Sequence, residues 1–370
     1  VNFNLDLMLP YKDEVKAAVN RVIDSGQYIY GPELAAFERS FMGKARGVGV
    51  GNGTDALRIA LLALGVRPGD EVISPAFNVG YTALAVSAVG AKNVFVDVDE
   101  ERLLMDVDMM EDAITSKTKA IIPVHMYGRM CNMPTIQRIA RCYGDDIRIL
   151  EDAAQVHGGG YMHYAPELQE KEFVSVGTHS DAAAFSFYPT KNLGALGEAG
   201  AITTDIPEVE AEARLLRNAG RSDRYAHIRF GINSGLDEIQ AAILQVKLKY
   251  LIERNMARQA AASYYDDHLP VIVRTKRLPW DVCHLYVIRT PLREELHNFL
   301  TSRGIPSLIH YPLPVPHQPI YCEAYAAERR ANLWPVTTRA AREVLSLPMH
   351  ADITKEDQDA VIKAVKDFFA

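Results

Sequence analysis

Lys191 sits in Ser186-Phe187-Tyr188-Pro189-Thr190-Lys191-Asn192-Leu193-Gly194, a hydroxyl-rich turn that follows a strand of small residues and has apolar and glycine flanks. Such surroundings partly desolvate an ammonium and lower its pKa, which favours the free amine that forms a Schiff base. Most lysines are solvated surface charges, so the turn alone leaves both readings open. A second stretch, Leu150-Glu151-Asp152-Ala153-Ala154-Gln155-Val156-His157-Gly158, puts a carboxylate at the tip of an otherwise apolar strand. A buried Asp needs a partner, and either the N-terminus of a following helix or a protonated ring nitrogen would serve. A third, Gly51-Asn52-Gly53-Thr54-Asp55-Ala56, is a glycine-rich turn that opens a helix and leaves unpaired backbone N–H groups facing outward, a cradle for phosphate.

Gly51-x-Gly53-x-x-Ala56 also fits the looser dinucleotide-binding fingerprint. That fingerprint expects an acidic residue at the end of the next strand, where this chain has Ser74-Pro75-Ala76-Phe77. Together, an amine nucleophile, a carboxylate for a ring nitrogen and a phosphate cradle are the three anchors that pyridoxal phosphate requires.

The elements that must hold these residues follow from hydrophobic patterning. Short apolar runs at 47–50, 71–74, 93–97, 120–124, 147–150, 182–187 and 201–204 read as strands, and Thr54 to Leu64 reads as a helix. Alternation of this kind predicts an α/β fold, a mainly parallel sheet with helices on both faces. Ligands collect at the carboxyl ends of such strands, where all three stretches lie. Tyr11 to about Ser25 reads as a helix stopped by Gly26, and another helix follows Gly31-Pro32. A long helical stretch from Asp237 to about Ala262 is expected to lead out of a large domain spanning 1–250. Beyond it, strands at 285–289 and 306–309 and helices at 293–303 and from Lys355 predict a smaller α+β domain over 251–370.

The 370 residues are 48% hydrophobic, ample for two cores. A net charge of -7 with scattered basic residues gives no reason to expect nucleic acid or an anionic membrane as partner. Cys131, Cys142, Cys283 and Cys322 lie far apart without a Cys-x-x-Cys pair, so no metal site or disulfide framework is expected, and reduced thiols fit a cytoplasmic protein. The first residues, Val1 to Asp6, show no basic stretch before an apolar run, and no uncharged segment approaches the roughly 20 residues that span a bilayer.

At these motifs the sequence resembles the nucleotide-sugar aminotransferases of the DegT/DnrJ type, among the fold type I pyridoxal-phosphate enzymes related to aspartate aminotransferase. Matching segments run nearly the whole chain: 25–33, Gly53 to Leu57, 123–128, Glu151 to Gln155, Ser186 to Gly194, Asn233-Ser234, 236–242 and His310-Tyr311-Pro312. The resemblance implies that Lys191 holds the cofactor as an imine, that Asp152 pairs with the pyridine nitrogen and that Gln155 lies on the ring's hydroxyl side. It implies that Gly53, Thr54 and Ser186 hold the phosphate, and that Asn233 reaches the phosphate of a neighbouring subunit in a homodimer with shared sites. It implies an amino donor, glutamate, whose nitrogen passes through pyridoxamine phosphate to a nucleotide-linked keto sugar. Tyr188, Arg229, His310 and Tyr311 are the candidate substrate contacts.

The chain also departs from the family. Val79 stands where an aromatic or a histidine usually stacks on the cofactor ring, and Phe77 and Tyr81 are the nearby aromatics, with a plain core role the alternative. Gly235 follows Asn233-Ser234 in place of the usual arginine, with Arg229 upstream as a compensating charge. The stretch 161–178 is longer than the family's usual hairpin. Lys191 separates the chain from the branch that carries histidine and dehydrates its substrate. The segment 308–314 looks most like members acting on dTDP-linked 3-oxo-6-deoxy sugars, with 4-oxo sugars and keto-inositols as alternatives. A nicotinamide-dependent oxidoreductase and a non-catalytic regulator on the same fold are the rival classes.

Overall fold

The computed structural model describes residues 11–42, 46–165, 170–270 and 275–370. Its strands are β1 (Arg46–Val50), β2 (Glu71–Pro75), β3 (Lys92–Val96), β4 (Thr118–Ile121), β5 (Arg148–Asp152), β6 (Gly160–Ala165), β7 (Glu170–Ser175), β8 (Ala182–Ser186), β9 (Gly200–Thr204), β10 (Tyr286–Arg289) and β11 (Val344–Leu347). Seven of them form one sheet in the order β1-β9-β8-β5-β4-β2-β3. Only β9 runs against its neighbours. The mainly parallel α/β sheet read from the sequence is therefore present.

Successive strand residues feed opposite faces, as the two-residue repeat of a strand requires. Ile73, Ile121, Ile149, Ala183 and Phe185 enter one apolar cluster, whereas Val72, Ala120, Ile122, Leu150, Ala182 and Ala184 enter another. Both faces are covered, which is why these strands read as unbroken apolar runs rather than alternating ones.

The helices before and within the sheet are α1 (Lys12–Ser25), α2 (Pro32–Met42), α3 (Gly53–Ala63), α4 (Tyr81–Ala88), α5 (Val107–Asp112), α6 (Met133–Tyr143) and α7 (Pro207–Arg217). Gly26 ends α1 in the left-handed conformation, φ 66°, as its position suggested. The expected long helix from Asp237 is instead two, α8 (Glu238–Leu248) and α9 (Leu251–His268). The break falls at Lys249 and Tyr250, where Tyr250 stacks on Tyr11 with ring centroids 5.2 Å apart and its hydroxyl donates to Glu14 of α1. Tertiary contact with α1 thus overrides a continuous helical pattern.

The remaining helices are α10 (Arg293–Ser302), α11 (Ala326–Arg330), α12 (Pro335–Glu343) and α13 (Lys355–Phe369). β10 and β11 pair antiparallel, and an apolar cluster including Tyr265, Ile288, Leu296, Leu345 and Val361 is drawn wholly from residues after 261. The run 306–309 is not a strand: Leu308 makes a single bridge to Ser346. C-terminal residues also reach the main sheet. Trp334 Nε1 donates to Phe95 O at 2.9 Å, and Asp97 accepts from the first N–H groups of α12. These bonds carry residues 308–315 across the strand ends, where Val315 N donates to Ala76 O at 2.9 Å.

The longer stretch at 161–178 falls on the antiparallel hairpin β6–β7, whose tip at 166–169 lies outside the described residues. Among the described residues no helix is long and apolar enough to cross a membrane.

Candidate active site

The carboxyl ends of β1, β2, β5 and β8 gather at one edge of the sheet, and the three chemical stretches meet there. The phosphate cradle begins with Asn52, which caps α3 by accepting from Asp55 N at 2.8 Å. The first helical N–H groups, from Gly53 and Thr54, are left for a ligand at the positive end of the helix. A Cβ on Gly53 would lie 2.6 Å from Ser186 Cβ, so only glycine lets α3 press this closely onto the end of β8. Gly200 permits the same approach from β9, since its Cβ would lie 2.4 Å from Asn52 O. Gly53, Thr54 and Ser186 therefore form one concave rim, and all three remain partly accessible.

Asp152 ends β5 and is buried. Its Oδ2 accepts from Thr82 Oγ1 at 2.7 Å and its Oδ1 from Ala154 N at 3.2 Å. Its backbone is fixed as well, donating to Pro123 O and accepting from His125 N. Behind it, buried Glu151 accepts from Gly177 N and from Ser180 Oγ and pairs with His125 Nε2 at 2.7 Å. His125 Nδ1 accepts from Cys131 N, so the ring's proton lies on Nε2 and points at Glu151.

Lys191 is half-buried, and desolvation pushes its ammonium down to about 8, partly offset by the charge of Asp152. At that value an appreciable fraction is free amine near neutral pH. Three imidazoles feel the same lysine. His157 is lowered to about 3, His284 well below its usual range and His310 more modestly, each by burial first and by the charge on Lys191 second. Neutral rings around the amine avoid a like-charge cluster.

The turn carrying Lys191 is pinned from several sides. Asn192 Nδ2 donates to Asn255 Oδ1 at 2.9 Å and to Val282 O at 3.0 Å, and Asn192 Oδ1 lies 3.2 Å from His284 Nδ1. Lys247 Nζ donates to Gly194 O, and Leu196 N donates to Gln240 Oε1 at 2.9 Å.

Gln155 accepts from Tyr127 N at 2.7 Å and donates to Tyr311 OH at 3.2 Å. Tyr127, left-handed at φ 65°, also donates its hydroxyl to His310 O. Burial raises the Tyr311 phenol to about 12, with Gln155 opposing and the charge of Asp152 adding to the rise. Gln155, His310 and Tyr311 are thus joined to the site.

Other candidates are not brought in by this chain. Tyr188 is half exposed, though its carbonyl accepts from Lys191 N at 2.9 Å. Asn233 is exposed and bridges Asn218, while its neighbour Ser234 donates to Asp55 Oδ2 at 2.6 Å. Arg229 is exposed and pairs with Glu212 of α7 at 3.3 Å, so it does not compensate for Gly235 within the chain. The glycine itself has a packing reason: a Cβ there would lie 2.8 Å from Tyr30 OH, and the Tyr30 ring faces Arg217 at 5.1 Å. Phe77 is core, packed edge-on to Tyr127, whereas Tyr81 is exposed and Val79 half-buried. Sequence reasoning missed Thr82, Asn78, Tyr127 and His284. Only the four-residue spacing of Asn78 and Thr82 just after β2 hinted at the first two.

Residues 11–366 match the model of the DegT/DnrJ/EryC1/StrS aminotransferase family. The chain is 40% identical to a dTDP-3-amino-3,4,6-trideoxy-alpha-D-glucose transaminase of Streptomyces venezuelae, over 98% of this chain and 95% of the relative. It is 41% identical to the erythromycin biosynthesis sensory transduction protein EryC1 of Saccharopolyspora erythraea, over 98% of each. The crystal structure of S. venezuelae DesV in complex with a ketimine intermediate superposes with a TM-score of 0.88 at 39% identity, covering 98% of this chain and 97% of that one. The matched family spans the sheet, the cradle and the turn bearing the depressed lysine, so this chain belongs to the DegT/DnrJ/EryC1/StrS family and is a pyridoxal-phosphate-dependent aminotransferase of fold type I.

Proposed function

We propose that the chain transfers an amino group from L-glutamate to a nucleotide-linked keto sugar, a dTDP-3-oxo-6-deoxyhexose, with Lys191 and Asp152 as its catalytic residues. The observation that carries this reading is the depressed amine of Lys191 gathered with the Asp152 carboxylate and the open N–H groups of α3 at one sheet edge. The tight seat of Gly53 on Ser186 suits a phosphate, and the buried carboxylate suits a protonated ring nitrogen.

When bound, pyridoxal phosphate supplies an aldehyde that captures amines and a ring that takes up electron density. Lys191 Nζ would anchor that aldehyde and move a proton at the reacting carbon. Asp152 would keep the ring nitrogen protonated, a role a neutral side chain fills poorly. Gly53, Thr54 and Ser186 would hold the phosphate, and Gln155 would face the ring's hydroxyl. Asn233, exposed in its own chain, reaches the phosphate of a second copy in a homodimer. His310, Tyr311 and Tyr188 contact substrate.

The sugar is supported by the S. venezuelae relative, whose product carries its amine at carbon 3 of a dTDP sugar. The test is a half-reaction followed by a screen. Glutamate should bleach the yellow colour of the purified holoenzyme, and dTDP- and UDP-linked 3- and 4-oxo sugars should then be compared by mass spectrometry of the aminated product. Amination of a dTDP-3-oxo sugar is the expected result. Bleaching without amination of any nucleotide sugar would overturn the acceptor, and no bleaching would overturn the donor.

A further inference from the structure

We propose that Thr82, oriented by Asn78, is a positioning residue that holds the Asp152 carboxylate in place toward the cofactor's ring nitrogen; this rests on the reading that Asp152 faces that nitrogen. Three hydrogen bonds fix a single direction of donation. Val79 N, which can only donate, lies 2.7 Å from Asn78 Oδ1. The Asn78 amide therefore cannot flip, and its Nδ2 must face Thr82 Oγ1, 2.8 Å away. Because Nδ2 only donates, Thr82 cannot spend its one hydroxyl proton there. That proton goes to Asp152 Oδ2 at 2.7 Å.

Both side chains are almost fully buried, Asn78 2% and Thr82 1% exposed, so water does not compete for these bonds. Nor is Thr82 occupied in capping: α4 has no side-chain cap, and Thr82 is its second residue. A chain of aligned donors strengthens its last link, here the bond from Thr82 to the carboxylate. With Oδ2 committed to Thr82 and Oδ1 to Ala154 N, the carboxylate plane is held at two points. Its remaining lone pairs can accept only from a group that brings its own proton. The direction of the whole relay is thus set by one backbone N–H, that of Val79.

The test uses the holoenzyme loaded with pyridoxal phosphate labelled with ¹⁵N in its ring, and reads the ring-nitrogen resonance and the cofactor dissociation constant. Thr82→Val removes the donor at nearly constant volume, Thr82→Ala removes it without crowding, and Thr82→Ser keeps it. The Val and Ala variants should move the resonance toward its unprotonated position and raise the dissociation constant roughly tenfold, the worth of one hydrogen bond to a charged group. The Ser variant should restore both. If Val does not fold, Ala against Ser decides. Unchanged resonances in folded Val or Ala variants, while Asp152→Asn shifts the signal, would overturn the role of Thr82. If Asp152→Asn itself leaves the signal unmoved, the underlying assignment of Asp152 fails instead.

Discussion

The reactivity proposed for Lys191 rests on surroundings that remove water from a charge with only a partial offset from Asp152. Burial lowers its pKa to about 8, and Asp152 supplies only a partial offset. Below that pH the ammonium dominates and above it the free amine does, so capture of pyridoxal phosphate by the cofactor-free protein should speed up through about pH 8 and then level off. Stopped-flow absorbance across pH 6 to 10 reads this directly, on the order of two units either side of the midpoint. Lys191→Ala should abolish transamination yet leave cofactor binding detectable through the phosphate cradle, as followed by absorbance titration. Gly53→Ala sets a methyl 2.6 Å from Ser186 Cβ and should weaken cofactor binding about tenfold or more, because backbone or strand must shift by the amounts that cost about 1–3 kcal/mol in packed sites. Lys191, Asp152, Gly53 and Ser186 were legible because each sits at a strand or helix end with a local pattern around it. Thr82 was not: it is 70 residues from Asp152 in sequence, and nothing local marks a threonine as the partner of a distant carboxylate.

The elements were read well where one face or one cap decided them. Runs such as Ala182 to Phe185 are strands because both sheet faces are covered, and Asn52 and Thr354 cap α3 and α13 through their side chains. Reading failed where a remote contact decided. The interruption between α8 and α9 depends on Tyr11 and Glu14 of α1, and the glycine at 235 depends on Tyr30. Gly235→Arg presses only on the far end of the exposed Tyr30 side chain, so it should change stability in urea unfolding by about 0.5 kcal/mol or less as Tyr30 leaves its seat on Arg217. A clearly larger loss would show that Tyr30 is held on that seat.

For the molecule as a whole, large apolar side chains stand in solvent: Phe230 is fully exposed, Tyr225 78% and Ile228 53%, with Tyr28 and Ile29 also about half exposed. Concentrations of exposed apolar surface mark interaction sites. They lie in the segments around 28 and 225–230, the second just before Asn233, which supports the homodimer proposed above. Phe230→Asp should raise the dimer dissociation constant at least tenfold in sedimentation equilibrium, in line with loss of a buried aromatic anchor. Dimerisation unchanged by that charge would remove this surface from the interface.

The proposed covalent bond to Lys191 is open to one direct measurement. Borohydride reduction of the holoenzyme, followed by proteolysis and tandem mass spectrometry, should place the pyridoxyl group on the peptide containing residues 188–194, at Lys191 and no other lysine. A pyridoxyl group on a different lysine, or a reduced protein whose Lys191 peptide is unmodified, would contradict the site described for this chain.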